Sequence, residues 1–198
     1  MKTALIIFVR KPELGKVKTR LAATLGDDKA LEIYKELLQH TSDIALKTSA
    51  DKFVFYFNKI EKEDIWDENN FIKKLQSDAD LGIKMQDAFS QIFEQGYEKV
   101  VIIGSDCFEL TNEIISNAFE QLDTNDVVIG PANDGGYYLL GMKKLYPQLF
   151  ENKQWSTAAV YQQTIADFEK AHIKYHALVT LTDVDTEEDW LATKNNLS

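Results

Sequence analysis

Five cations crowd the segment Phe8–Leu21, FVRKPELGKVKTRL: Arg10, Lys11, Lys16, Lys18 and Arg20. Arg10 and Arg20 are the only arginines in a chain of formal net charge -10. A concentrated cationic loop on an acidic protein points to a bound anion rather than to general attraction for polyanions. Arginine offers phosphate oxygens a two-pronged fork, and lysine a point charge. The plain alternative is a solvated loop, against which the arginine placement weighs. Three acidic motifs accompany the loop. Asp106 ends the run KVVIIGSD and is either a helix cap or a ligand, and Thr111 is the better cap. Asp183 and Asp185 form a D-x-D pair, which is a turn unless one of them, Asp185 by preference, completes a cation site with Asp106. Mg²⁺ or Mn²⁺ suits such a pair, because a hard cation takes one or two carboxylates and fills its shell with phosphate oxygens. In GPANDGGYYLLG, Gly135 and Gly136 allow a backbone to approach a ligand, or make a tight hairpin. Beside them Asn133 and Asp134 suit sugar hydroxyls, with Asp134 a candidate base for an acceptor. A cationic loop and a carboxylate-held cation are together complementary to a nucleoside di- or triphosphate. The chemistry would be glycosyl or nucleotidyl transfer, where catalysis is positioning and stabilisation of the leaving group.

Those groups need a scaffold that brings them together. TALIIFV (Thr3–Val9) reads as a buried parallel strand that runs into the basic loop, where Pro12 and Gly15 turn the backbone. Val17, Leu21 and Ala22 then take helical spacing. A strand, a glycine-containing basic loop and a helix start direct backbone N–H groups at an anion. After a break at Gly26-Asp27-Asp28, helical spacing resumes from Ala30 to Thr48. KFVFYF (Lys52–Phe57), KVVIIG (Lys99–Gly104), DVVIG (Asp126–Gly130), YYLLG (Tyr137–Gly141) and Tyr175–Val179 read as strands, with FIKKLQ (Phe71–Gln76) a short one. Asp80, Thr111, Ser156 and Thr186 are the predicted caps of four further helices. The polar stretch Asn58–Asn70 reads as a surface excursion around an exposed Trp66. Strands alternating with helices predict an α/β, three-layer sandwich around a mostly parallel sheet, with ligands beyond the carboxyl ends of its strands. The basic loop, Asp106, Asp134 and the Asp183/Asp185 pair all fall there.

Composition narrows the classes. The 198 residues suffice for one core, and a single domain over 1–198 is expected. The acidic balance argues against a nucleic-acid partner. One cysteine permits no intrachain disulfide, the first apolar run is too short for a signal peptide, and no stretch is long enough for a membrane span. A cytoplasmic protein is expected. The loop is neither a GxxxxGK[ST] nor a GxGxxG motif. With one cysteine and the scattered His40, His172 and His176, no zinc set or nucleophile triad can be argued.

LGKVKTRL, GSDC, GPANDGGYYLLG, the W-S-T at Trp155–Thr157 and DVDTEEDW, in this order along nearly the whole chain, resemble a bacterial family of nucleotide-diphospho-sugar transferases with the Rossmann-like GT-A fold. Some members are linked to arsenosugar biosynthesis. More distantly, the K-T-R-L loop resembles that of the molybdenum-cofactor and coenzyme F420 nucleotidyltransferases. The resemblance implies that Lys18 and Arg20 contact the donor's phosphates, that Asp106 and Asp185 bind the metal, and that Asp134 and Gly136 line the sugar or acceptor side. The substrate-binding candidates are thus Arg10, Lys11, Gly15, Lys18, Thr19, Arg20, Lys84, Gly135, Gly136 and Trp155. Two positions depart from the family pattern. Phe108 stands where proline is usual after the cysteine of GSDC, and Lys84 in DLGIKM replaces a frequent arginine fork with a point charge. The expected activity is metal-dependent glycosyl transfer from a nucleotide-diphosphate sugar to a small-molecule acceptor. The alternatives are a nucleotidyltransferase that releases pyrophosphate and a non-catalytic nucleotide-binding module.

Overall fold

β1 (Thr3–Val9) is apolar on both faces, and its two faces feed two cores. Leu5, Ile7 and Val9 point to one side, against Tyr34, Leu38 and Ile44 of α2 (Asp27–Leu46) and Ile115 of α4 (Asn112–Thr124). Ala4 and Ile6 point to the other, against Met85, Phe89 and Ile92 of α3 (Leu81–Phe93) and Phe168 of α5 (Val160–Lys170). The period of two along a strand thus builds three layers, helices on both faces of one sheet. The structure, a computed structural model, describes residues 1–196.

The remaining strands are β2 (Asp51–Tyr56), β3 (Phe71–Leu75), β4 (Lys99–Ile103), β5 (Val127–Pro131), β6 (Tyr137–Met142) and β7 (Tyr175–Ala177). They form one seven-stranded sheet in the order β3-β2-β1-β4-β6-β5-β7. All pairings are parallel except those of β6, which runs antiparallel to both β4 and β5. The carboxyl ends of β1, β2, β3 and β4 therefore share one edge of the sheet, and the amino end of β6 joins them there. Two further helices, α1 (Thr19–Leu25) and α6 (Glu187–Asn196), pack with α2 through Leu21, Ile33, Leu37, Val184 and Trp190.

Local chemistry explains the boundaries. Asp80 accepts the Ile83 N–H and Thr111 accepts that of Ile114, capping α3 and α4 as their sequences predict. At α6, Thr186 Oγ1 accepts the Asp189 N–H while Asp189 Oδ2 accepts the Thr186 N–H, a reciprocal capping box. The predicted Ser156 cap is corrected. Ser156 takes a left-handed turn (φ 63°), and α5 starts at Val160, with Ala159 in the N-cap position and no side-chain cap. Trp66 is also corrected: it is buried, edge-on to Phe71, rather than exposed. The 58–70 excursion is held by Lys73. Its buried ammonium donates to the Glu61 and Lys62 carbonyls and to Asp64 Oδ1, while the Tyr56 hydroxyl donates to Asp64 Oδ2 at 2.6 Å.

Candidate functional site

A cleft of about 1010 Å³ runs along the carboxyl edge of the sheet. Its centre lies where β4 ends. Gly104 and Ser105 lead to Asp106, whose carbonyl accepts the Val184 N–H at 2.8 Å. That bond, with the Thr182 N–H donating to Glu109 Oε2 at 2.7 Å, ties the segment before α6 to the loop after β4. Leu181 and Asn133 are tied in turn to the β5–β6 hairpin, through the Leu181 N–H to Pro131 C=O and the Asn133 N–H to Leu181 C=O. Asp106 and Asp185, distant in sequence, thereby reach one point.

The group at that point is Lys18. Its Nζ lies 2.6 Å from Asp106 Oδ1 and 3.2 Å from Asp185 Oδ1. The lysine side chain is 6% exposed and the two carboxylates 44% and 40%. Burial acts to lower the Lys18 pKa, but the two carboxylates prevail and hold it above the ordinary value. Lys18 caps α1 in a left-handed conformation (φ 48°, ψ 46°), uncommon for a residue with a Cβ. Asp183 lies beneath the pair. Burial first, then the charges of Asp106 and Asp134, push its carboxyl up to about 7. Arg20 lies 3.7 Å from Asp185 and is otherwise open to the cleft.

Asp106 and Asp185 converge on the Lys18 ammonium, and a hard divalent ion would be held by the carboxylate oxygens that Lys18 does not engage, on the half-exposed side of the pair. Among the described residues no group of three or more acidic, histidine or cysteine side chains gathers into a complete metal cage. The remaining coordination would come from a phosphorylated ligand and water.

The other predicted residues divide. Arg10, Lys84, Thr19, Asp134, Gly136 and Trp155 line the cleft. The Arg10 guanidinium and the Lys84 ammonium both lie over the Phe57 ring, 4.6 and 4.1 Å from its centroid. Among the described residues neither forms an ion pair. Arg10 is fixed at its backbone, which donates to and accepts from the Tyr34 hydroxyl at 3.1 Å. Lys11 turns away into a smaller neighbouring cavity, pairing with Glu61 at 3.2 Å and Glu13 at 3.6 Å. Gly15 makes the loop's positive-φ turn (71°), outside the cleft lining. Asp134 Oδ1 accepts the Gly136 N–H at 2.8 Å, so the acid and the glycine form one turn. Gly135 makes a close approach, and the approach is to protein: a Cβ there would lie 2.2 Å from the Ala158 carbonyl oxygen. Trp155 is seated similarly, its Nε1 2.4 Å from where a Cβ of Gly82 would be.

Phe57 and Gln76 were absent from the sequence-based candidates. Both follow the carboxyl ends of their strands, β2 and β3, so the rule that picks out Asp106 after β4 applies to them equally.

The family described as "Uncharacterized protein conserved in bacteria (DUF2064)" matches residues 39–157. No curated protein matches the chain. Among solved structures, a protein from Desulfovibrio desulfuricans G20 assigned to the nucleotide-diphospho-sugar transferases is 33% identical. That match covers 94% of this chain and 84% of the other, with a TM-score of 0.86. The 4-diphosphocytidyl-2C-methyl-D-erythritol synthase of Anaerococcus prevotii DSM 20548 is 14% identical over 99% of this chain and 96% of its own, with a TM-score of 0.63. Rv0371c of Mycobacterium tuberculosis H37Rv, in complex with manganese, is 10% identical over 98% of both chains, with a TM-score of 0.56. At those last two identities the likeness is one of fold. The fold is the Rossmann-like α/β sandwich of the nucleotide-diphospho-sugar transferases. The chain belongs to the DUF2064 family.

Proposed function

Proceeding from that membership, we propose that the chain is a metal-dependent glycosyltransferase, moving a sugar from a nucleotide-diphosphate donor to a small-molecule acceptor. One observation carries this reading. Asp106 and Asp185 converge on Lys18, with Arg20 beside them and, in the same cleft, Arg10 and Lys84, which form no ion pair among the described residues. The assignment of the 33%-identical Desulfovibrio protein supports it. The cleft volume sits at the upper end of small-molecule sites, which suits a donor and an acceptor together.

In this reading Asp106 and Asp185 hold Mg²⁺ or Mn²⁺. The ion, when bound, supplies charge neutralisation for the departing diphosphate. Arg20 binds the phosphate oxygens, Lys18 does so by exchanging one of its two carboxylate partners for a phosphate oxygen, and Arg10 and Lys84 extend that contact from the Phe57 ring. The bond from the sugar's anomeric carbon to the phosphate oxygen breaks, and its electron pair leaves with the diphosphate. The acceptor oxygen forms the new bond. Asp134 takes the acceptor's proton on Oδ2, since Oδ1 is engaged by the Gly136 N–H. The partners are thus a nucleotide sugar and a small molecule, the setting an intracellular one, and the whole chain one catalytic domain.

Nucleotidyl transfer is the second reading, favoured by Arg10, Arg20 and Lys84 together in the cleft, which would match the greater charge of a triphosphate. Calorimetry with nucleoside di- and triphosphates and nucleotide sugars, with and without Mn²⁺, tests both, followed by analysis of the released products. Metal-dependent binding of a nucleotide sugar and release of the nucleoside diphosphate are expected. Asp106→Asn and Arg20→Ala should each lower turnover by about a hundredfold or more. Pyrophosphate release from a triphosphate would replace this reading with the second. Binding without turnover would leave a nucleotide-binding module. Unchanged transfer and donor affinity in both variants would sink the site assignment.

A further inference from the structure

At the end of the cleft farthest along the sheet from Asp106, a single amide stands beside the apolar side chains of Phe8, Val9 and Phe57, with Arg10 and Lys84 over the Phe57 ring. Gln76 follows β3 directly and is 9% exposed. Its Nε2 donates to the Phe55 carbonyl at 2.8 Å and reaches the Val9 carbonyl at 3.5 Å. Those two carbonyls, from β2 and β1, fix which end of the amide is which, because only the nitrogen can face them. The opposite atom, Oε1, accepts no hydrogen bond among the described residues, and it is not among the sealed, unsatisfied atoms. Gln76 lines the cleft, with Phe8, Val9 and Phe57 nearby on the same strand ends. A nine-tenths-buried amide with both donors held by backbone and its acceptor facing a cleft is a fixed reading head for an N–H group.

The other end of the cleft has different chemistry. Asp134, Ser156 and Thr157 line it, groups suited to hydroxyls. Between the two ends lie Lys18, Arg20 and the Asp106–Asp185 pair, with Arg10 and Lys84 on the Phe57 ring toward the Gln76 end. A donor whose phosphates sit on those central charges therefore has its hydroxyl-rich sugar toward Asp134 and its flat base toward Gln76.

We propose that Gln76 determines which nucleobase the donor carries, by accepting a hydrogen bond on Oε1 from an N–H on the base's polar edge. This rests on the nucleotide-donor reading above. A site built around one committed acceptor discriminates strongly, since a base that presents a carbonyl or ring nitrogen there leaves two acceptors facing each other. The backbone carbonyls that hold the amide prevent it from flipping to suit such a base.

The test is calorimetric titration of UDP, CDP, GDP and ADP in the presence of Mn²⁺, on the wild-type chain and on Gln76→Met. Methionine keeps the length of the side chain and removes both amide functions. The wild type should prefer one base by about ten- to hundredfold, and Gln76→Met should bring that ratio close to one. A loss of affinity equal for all four, with the ratio preserved, would show a merely structural amide and overturn the inference. A wild type without base preference would overturn it as well. The preferred diphosphate, N-methylated at its donor edge, tests the same point on the unaltered protein and needs no variant to fold. It should bind at least about tenfold more weakly, and equal binding would reject the hydrogen bond. If none of the four diphosphates binds the wild type, the nucleotide-donor reading falls, and this inference with it.

Discussion

Lys18 concentrates the tension of the site in one residue. Its backbone occupies the left-handed region, which disfavours a side chain with a Cβ, yet its ammonium is held by two carboxylates. The backbone cost and the ionic gain can be separated. Lys18→Met and Lys18→Gly both delete the charge, but only glycine relieves the backbone, so Lys18→Gly should be the more stable by about 1 kcal/mol in denaturant midpoints. Both should weaken donor binding by about tenfold or more, read by calorimetry. The direction with pH also follows. The folded-state pKa of Lys18 is raised, so the ammonium's contribution is complete below the ordinary lysine value of 10.5 and is lost as pH rises through the raised one. Wild-type stability should therefore show no contribution from Lys18 titration across neutral pH, and an alkaline loss that Lys18→Met lacks.

Among the elements, the 58–70 excursion is stapled by a single cation, Lys73, beside the packing of Trp66 on Phe71. Lys73→Met would leave Asp64 without its ammonium and two loop carbonyls without a donor. A loss of about 2 kcal/mol is expected, with faster amide exchange confined to 58–70 in hydrogen-exchange mass spectrometry. Uniform exchange along the chain would mean that the lysine is not the staple. Elements were legible in the sequence wherever periodicity governs them. The fully buried β4, the amphipathic α3 and α4, and the caps Asp80 and Thr111 all lie where their patterns put them. Ser156 and Trp66 were not legible. Ser156 occupies a left-handed turn set by the 152–159 segment's contact with Gly135 and Gly82, and Trp66 is drawn inward by Phe71. The strand-end rule brought Asp106, Asp134 and Asp185 to one edge. The position of Lys18 between two of them depends on the Val184 to Asp106 backbone bond, a long-range contact that no local pattern encodes.

At the scale of the whole molecule, the cleft gathers both arginines and Lys84 beside its carboxylates on an acidic body, with a formal net charge of -10. Donor affinity should fall with ionic strength, by about tenfold between 0.05 and 0.5 M salt, because half-exposed charges are screened over distances comparable to the Debye length. Salt-independent binding in calorimetry would remove the phosphate contacts from the account. The sheet itself has two rims, and β3 forms one of them. Ile72 and Leu75 are exposed on it, a strand with unpaired backbone groups and apolar side chains. Such a rim is a template on which another chain's strand can add. Lys73 and Lys74 put charge into it, and Lys73 also draws the 58–70 excursion alongside. The staple that orders one loop is thereby also a guard against fibrous self-association: losing it would cost the protein its colloidal integrity in concentrated solution before it cost the fold.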